Sequence, residues 1–95
     1  MIIIREFFIA KPGQAGKLAK LMKEVQNDLG NQRTCRVMTD LTGDFNKVVM
    51  ETEVENLGAF ESRMQEYGKN TAIREKLKGY TEMYLTGSRE ILRVW

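Results

Sequence analysis

With 95 residues, 15 Lys and Arg against 13 Asp and Glu and a net charge of +2, the chain has room for one core and too little clustered positive charge for a nucleic-acid surface. It contains no histidine and one cysteine, Cys35, which excludes an intramolecular disulfide and removes the commonest general base and the commonest transition-metal ligand. The apolar fraction of 42% and charged fraction of 29% are those of an ordinary folded protein, and a single domain over residues 1–95 is expected.

Ile2 to Ala10 is rich in β-branched and aromatic residues and ends at Lys11-Pro12-Gly13. Both of its faces are mostly apolar, which predicts a strand covered on both sides. The same segment alternates and carries Arg5 and Glu6, so it lacks the continuous apolar run of a signal peptide. No stretch approaches the roughly 20 apolar residues of a membrane span. A cytoplasmic protein with no membrane partner is expected.

From Gln14 to Leu29 the residues Ala15, Leu18, Ala19, Leu21, Met22, Val25 and Leu29 recur at helical spacing, with lysines on the opposite side. Gly30 is placed to stop this helix in a left-handed conformation. Arg33 to Val54 then reads as a β-hairpin turning across Leu41-Thr42-Gly43-Asp44. With Thr42-Gly43 at the turn centre, Val37 faces Val48, Cys35 faces Met50, Arg36 faces Val49, Met38 faces Lys47 and Thr34 faces Glu51. Alternation puts Cys35, Val37, Val48, Met50 and Val54 on a face suited to helices. Arg36, Met38, Phe45, Lys47, Val49 and Glu51 fall on the other, and an odd-length loop would swap one strand.

Asn56 is a good N-cap for a second helix with Leu57, Phe60, Met64 and Tyr67 on one stripe. Gly68-Lys69-Asn70 interrupts it, and Thr71 is the expected cap of a short helix carrying Ile73, Leu77 and Tyr80. Met83 to Trp95 is a strand pattern in which Gly87 marks a bend or bulge. The order β-α-β-β-α-β, joined by right-handed crossovers, predicts an α+β fold of ferredoxin-like form, a four-stranded antiparallel sheet with its helices on one face. Nothing remains to cover the other face, although Met38, Phe45 and Val49 lie on it. A homodimer with the two sheets packed face to face is the simplest remedy.

Three features resemble the dimeric α/β-barrel superfamily: the opening strand running into Lys11-Pro12-Gly13, the helix carrying Leu18, Met22 and Val25, and the hairpin with its Gly43 turn. So does the closing Tyr84-Leu85-Thr86-Gly87-Ser88-Arg89-Glu90-Ile91 strand. The NIPSNAP-like and antibiotic-biosynthesis-monooxygenase-like groups are the nearest in kind. The resemblance implies a barrel made from two sheets, with a pocket between each sheet and its helices or partner. Members include cofactor-independent monooxygenases of polycyclic aromatics, haem-binding or haem-degrading proteins, and many with no assigned activity. The haem users depend on an axial histidine, which this chain lacks. The cofactor-free oxygenases place an Asn and a Trp in the pocket, whereas the one Trp here is Trp95 at the extreme C-terminus, and spacing argues no pairing with Asn46.

The remaining chemistry is modest. Arg36, Lys47 and Glu51 in a partly apolar setting could hold a small acidic or phenolic ligand, or could pair with one another and with a second copy. Tyr67, Tyr80 and Tyr84 could donate a hydrogen bond to a ligand or fill space, and Tyr84 is the one of interest. The methionines read as core filler. No phosphate loop is present, and Ser62 and Ser88 lack a histidine to activate them. The expected ligand-contacting set is therefore Arg36, Met38, Lys47, Glu51 and Tyr84, with no metal and no cofactor. The expected function is a homodimer binding a small, largely apolar molecule in a barrel cavity. The alternative is a cofactor-independent monooxygenase or isomerase-like enzyme acting on an aromatic or polyketide-like substrate.

Overall fold

The computed structural model describes residues 1–43 and 45–95; Asp44, the last residue of the expected turn, lies outside the described residues. Four strands, β1 (Ile2–Ala10), β2 (Cys35–Thr39), β3 (Lys47–Val54) and β4 (Tyr84–Arg93), form one antiparallel sheet in the order β2-β3-β1-β4. Three helices, α1 (Ala15–Asp28), α2 (Leu57–Lys69) and α3 (Thr71–Lys76), accompany it, with a 3-10 turn at Tyr80–Met83 leading into β4. This is the ferredoxin-like arrangement, with the second helical segment split in two.

The split has a local cause. Asn56 caps α2 by accepting from the Ala59 N–H at 2.8 Å, and Asn70 caps α3 by accepting from the Ile73 N–H at 3.1 Å. The extended backbone of Asn70 (φ −84°, ψ 104°) breaks the helix between them. The cap of α3 is thus Asn70, and Thr71 is its first residue. The shorter Thr side chain loses the position because its neighbour's amide oxygen already reaches the orphan donor. Gly30, at φ 77°, ends α1 in the left-handed region as expected.

Alternation sorts the strands as the hairpin reading expects. Ile4, Phe8 and Ala10 of β1, Val48, Met50 and Val54 of β3, and Leu18, Met22 and Val25 of α1 are buried together with Ile73 of α3. Each strand residue here lies on the sheet face beneath the helices, following the period of two. On the reverse face Ile3, Phe7 and Ile9 are half-buried, with no helix over them. Within the chain, the helices therefore cover β1 on one side.

The hairpin register differs from the expected one by two residues. Arg36 lies opposite Glu51, Val37 opposite Met50 and Cys35 opposite Thr52. The connection is longer than a tight turn: Asp40 Oδ1 accepts from the Lys47 N–H at 2.8 Å, and Asn46 takes a left-handed φ of 63°. Because the shift is even, every side chain keeps its face. At the far end of the sheet the β1–β4 register breaks between Ile9 and Ala10, so the bulge falls before Gly87 rather than at it. Gly87 has another reason to lack a side chain, since a Cβ there would lie 3.3 Å from the Phe8 ring.

Candidate functional site

The expected ligand residues do not converge. Arg36, Met38, Lys47 and Glu51 share the open face of the sheet, while Tyr84 lies on the helix-covered face, its ring 4.9 Å from that of Phe8 and 5.8 Å from that of Tyr80. Tyr84 packs in an aromatic cluster with Phe8 and Tyr80.

On the open face the charges satisfy one another. Arg36, Glu51, Arg5 and Glu90 stand directly opposite in register on β2, β3, β1 and β4 and so form one row across the whole sheet. Arg36 Nη2 lies 2.6 Å and Arg5 Nε 2.8 Å from the two Glu51 oxygens, and Arg5 Nη1 reaches Glu90 at 3.5 Å. Hydrogen bonds from Arg5 and then Arg36 hold the Glu51 carboxyl below its usual range. The next row is apolar, Met38, Val49 and Phe7, and the Lys47 ammonium sits 5.1 Å from the centre of the Phe7 ring.

A second site lies on the other side of the sheet, between it and the helices. Here a cavity of about 170 Å³ is walled by Phe8, Met22, Val25, Met50, Met64 and Leu77. Polar groups enter it from several elements: Glu6 and Arg89 from adjacent strands, Gln26 from α1, Tyr67 from α2 and Tyr80 from the 3-10 turn. A narrow extension of about 20 Å³ shares Glu6, Gln26, Met50, Met64 and Tyr67 and adds Arg63 of α2. No residue of α2 is fully buried, and its inner face, Phe60, Arg63 and Tyr67, is only half-buried. Leu57 and Met64 of its apolar stripe remain exposed.

The polar groups are ordered by a short relay. Asn31 Nδ2 donates to Gln26 Oε1 at 3.0 Å, which leaves the Gln26 amide N–H to donate to the Tyr67 hydroxyl oxygen. Tyr67 then accepts from the protein and keeps its own proton to donate. Burial raises the pKa of its hydroxyl, with the Gln26 hydrogen bond acting the other way, so the phenol stays neutral at physiological pH. Tyr80 is raised as well, chiefly by burial. Glu6 and Arg89, opposite one another across β1 and β4, pair at 3.5 Å, and the Arg89 guanidinium lies 5.3 Å from the Phe60 ring centre. Arg63 Nη2 reaches Thr34 Oγ1 only at 3.5 Å. Its Nη1 is the one buried side-chain polar atom without a hydrogen-bond partner among the described residues.

Sequence reasoning passed over Glu6, Gln26, Arg63 and Arg89. Two of them carried a signal: Gln26 falls four residues after Met22 on the α1 stripe, and Arg63 falls four before Tyr67 on the α2 stripe. A polar residue at an apolar position is the mark of an inward-facing polar group. Among the described residues no cluster of three or more His, Cys, Asp or Glu could hold a metal ion, and no helix is long and apolar enough to cross a membrane.

No protein-family model and no curated protein matches the sequence. Solved structures do match the fold over nearly its whole length. An uncharacterized NIPSNAP domain protein from Burkholderia xenovorans superposes with a TM-score of 0.81 at 10% identity, covering 100% of this chain and 95% of that one. A NIPSNAP family protein from Agrobacterium tumefaciens gives 0.82 at 15% identity, covering 97% and 90%. An antibiotic biosynthesis monooxygenase gives 0.72 at 12% identity, covering 100% and 99%. At these identities the likeness is one of fold: the chain has the ferredoxin-like fold that these NIPSNAP and monooxygenase structures share.

Proposed function

We propose that this chain is a single domain that forms a cytoplasmic homodimer of the dimeric α/β-barrel type and binds a small, largely apolar molecule in the cavity between sheet and helices. The observation that carries the ligand reading is the cavity itself, a largely apolar pocket lined by Tyr67, whose hydroxyl accepts from Gln26 and donates to no group among the described residues. Convergent donors without partners in an apolar pocket are the mark of a binding site.

The open face supports self-association. It presents Ile3, Phe7, Ile9, Val49 and Met38 half-buried or exposed on a surface that no element of this chain covers. The row Arg36, Glu51, Arg5, Glu90 alternates in sign. A copy turned about a two-fold axis along the strands would lay the same row in reverse against it, opposing each charge with its opposite. In this arrangement Arg36, Met38, Lys47 and Glu51 contact the second copy.

Light scattering coupled to size exclusion, with native mass spectrometry of the same peak, tests both parts. A dimer of twice 11.0 kDa carrying additional small-molecule mass is expected. A clean monomer of 11.0 kDa would remove the barrel, and a peak without additional mass would count against the ligand.

A second reading is catalytic, a cofactor-independent monooxygenase or isomerase-like enzyme. It is favoured by a neutral, proton-donating Tyr67 in an apolar chamber and by the fold shared with a structure named as an antibiotic biosynthesis monooxygenase. Oxygen uptake on adding a polycyclic hydroquinone, abolished by Tyr67→Phe, would establish it. Uptake equal to the buffer rate would dismiss it.

A further inference from the structure

We propose that the ligand of this cavity is a small carboxylate with an apolar body, anchored by the Arg63 guanidinium and the Tyr67 hydroxyl. The inference rests on the cavity being a binding site and adds what its occupant must carry.

Charge is the first ground. The charged side chains lining the cavity and its extension are Arg63, Arg89 and Glu6. Glu6 is matched by Arg89 across the sheet, so Arg63 is the lining cation with no ion pair among the described residues, although Glu53 and Glu55 share an outer pocket with it. A guanidinium nitrogen shielded from water without an acceptor is costly, and an occupant with a negative oxygen relieves that cost.

The second ground is the direction of the Tyr67 proton. The Asn31–Gln26 relay fills one acceptor position of its hydroxyl and leaves the O–H proton for an acceptor in the cavity. Arg63 and Tyr67 stand four residues apart on α2 and are therefore neighbours on one helix face. A carboxylate has two acceptor oxygens, one for each. Gln26 contacts neither oxygen; it is a positioning residue that fixes which way Tyr67 donates.

Size and wall chemistry complete the class. The pocket, of about 170 Å³, is partly open to solvent and has its apolar wall in Phe8, Met22, Met50 and Leu77, room for a guest about the size of benzene. A single aromatic ring or a short branched chain fills it.

Benzoate, nitrobenzene and toluene test the inference on the intact protein by isothermal titration and ligand-observed NMR. Nitrobenzene has nearly the shape of benzoate without the charge, and toluene lacks an acceptor. Benzoate is expected to bind about tenfold or more tighter than nitrobenzene, with toluene weaker still. Arg63→Met and Tyr67→Phe should each weaken benzoate by about tenfold and leave toluene within about twofold. Both are half-buried on a helix with no fully buried residue, and an unchanged melting curve verifies the fold. Gln26→Met should weaken benzoate less than Tyr67→Phe does. Equal binding of benzoate and nitrobenzene would overturn the carboxylate and leave an apolar site. Saturation by none of the three would overturn the site as well.

Discussion

Glu51 receives the Arg5 Nε–H at 2.8 Å from directly across β1 and β3, and this pair lies in the middle of a charged row spanning the sheet. Arg5 and then Arg36 lower the Glu51 pKa below 4.5. A carboxyl with a lowered folded-state pKa binds fewer protons folded than unfolded. Its contribution is therefore fully present above the unfolded value and is lost as pH falls through the folded one. Glu51→Gln should melt below wild type at neutral pH by about 5 °C, a modest gap because both guanidiniums are partly solvated. That gap should close as the pH is taken well below 4.5. Melting curves across pH check this, and a constant gap would show that the charge is not what matters.

Val49 stands between Met38 and Phe7 in the apolar row beside the charges. A carboxylate here would be buried unpaired in a face-to-face dimer, yet half-solvated in a monomer. Val49→Asp should move the light-scattering mass toward 11.0 kDa with far-ultraviolet circular dichroism unchanged. Retention of the wild-type mass would place the interface elsewhere.

Ile73 is almost fully buried and is the one buried residue of α3, while α2 has none. The whole segment from Leu57 to Lys76 is thus pinned near its end. Ile73→Ala should cost about 2–5 kcal/mol, toward the upper end because neighbouring α2 has no core contacts to compensate. Denaturant midpoints provide the check; a loss under about 1 kcal/mol would mean the site collapses around the truncation.

Tyr67 and Tyr80 both have raised pKa values, with burial as the leading cause. The folded state therefore holds these protons more tightly, and stability from the neutral phenols is lost as pH rises from about 10 through their folded values. Tyrosinate absorbance should develop later than in denatured protein, and Tyr67→Phe should remove part of the delayed fraction. Coincident titration of native and denatured protein would contradict the buried geometry.

Most of the framework was legible because alternation and helical spacing are coarse, redundant signals. The two hairpin faces emerged correctly even though the register was off by two, since an even slip preserves parity. What set the register, the Asp40 acceptor and the left-handed Asn46, belongs to loop chemistry that no hydrophobic pattern encodes. The helix-side site was harder to see. Strand β1 is apolar on both faces, so its composition could not say whether Glu6 or Arg5 looks toward the helices. Arg89 then inherited the same ambiguity through pairing with Glu6. The open-face candidates are charges on a semi-apolar surface, and in the structure Arg36 and Glu51 pair with one another.

The unburied second helix has a kinetic meaning. A segment with no fully buried side chain opens at a fraction of the global unfolding free energy, and opening α2 carries Met64 and Tyr67 away from the cavity they line. Amide exchange in 57–69 should therefore be the fastest of any helix in the empty protein. An occupant touching Tyr67 and Arg63 would slow exchange there selectively, so that the residence time of the guest, rather than any contact in the core, sets how long this helix stays shut.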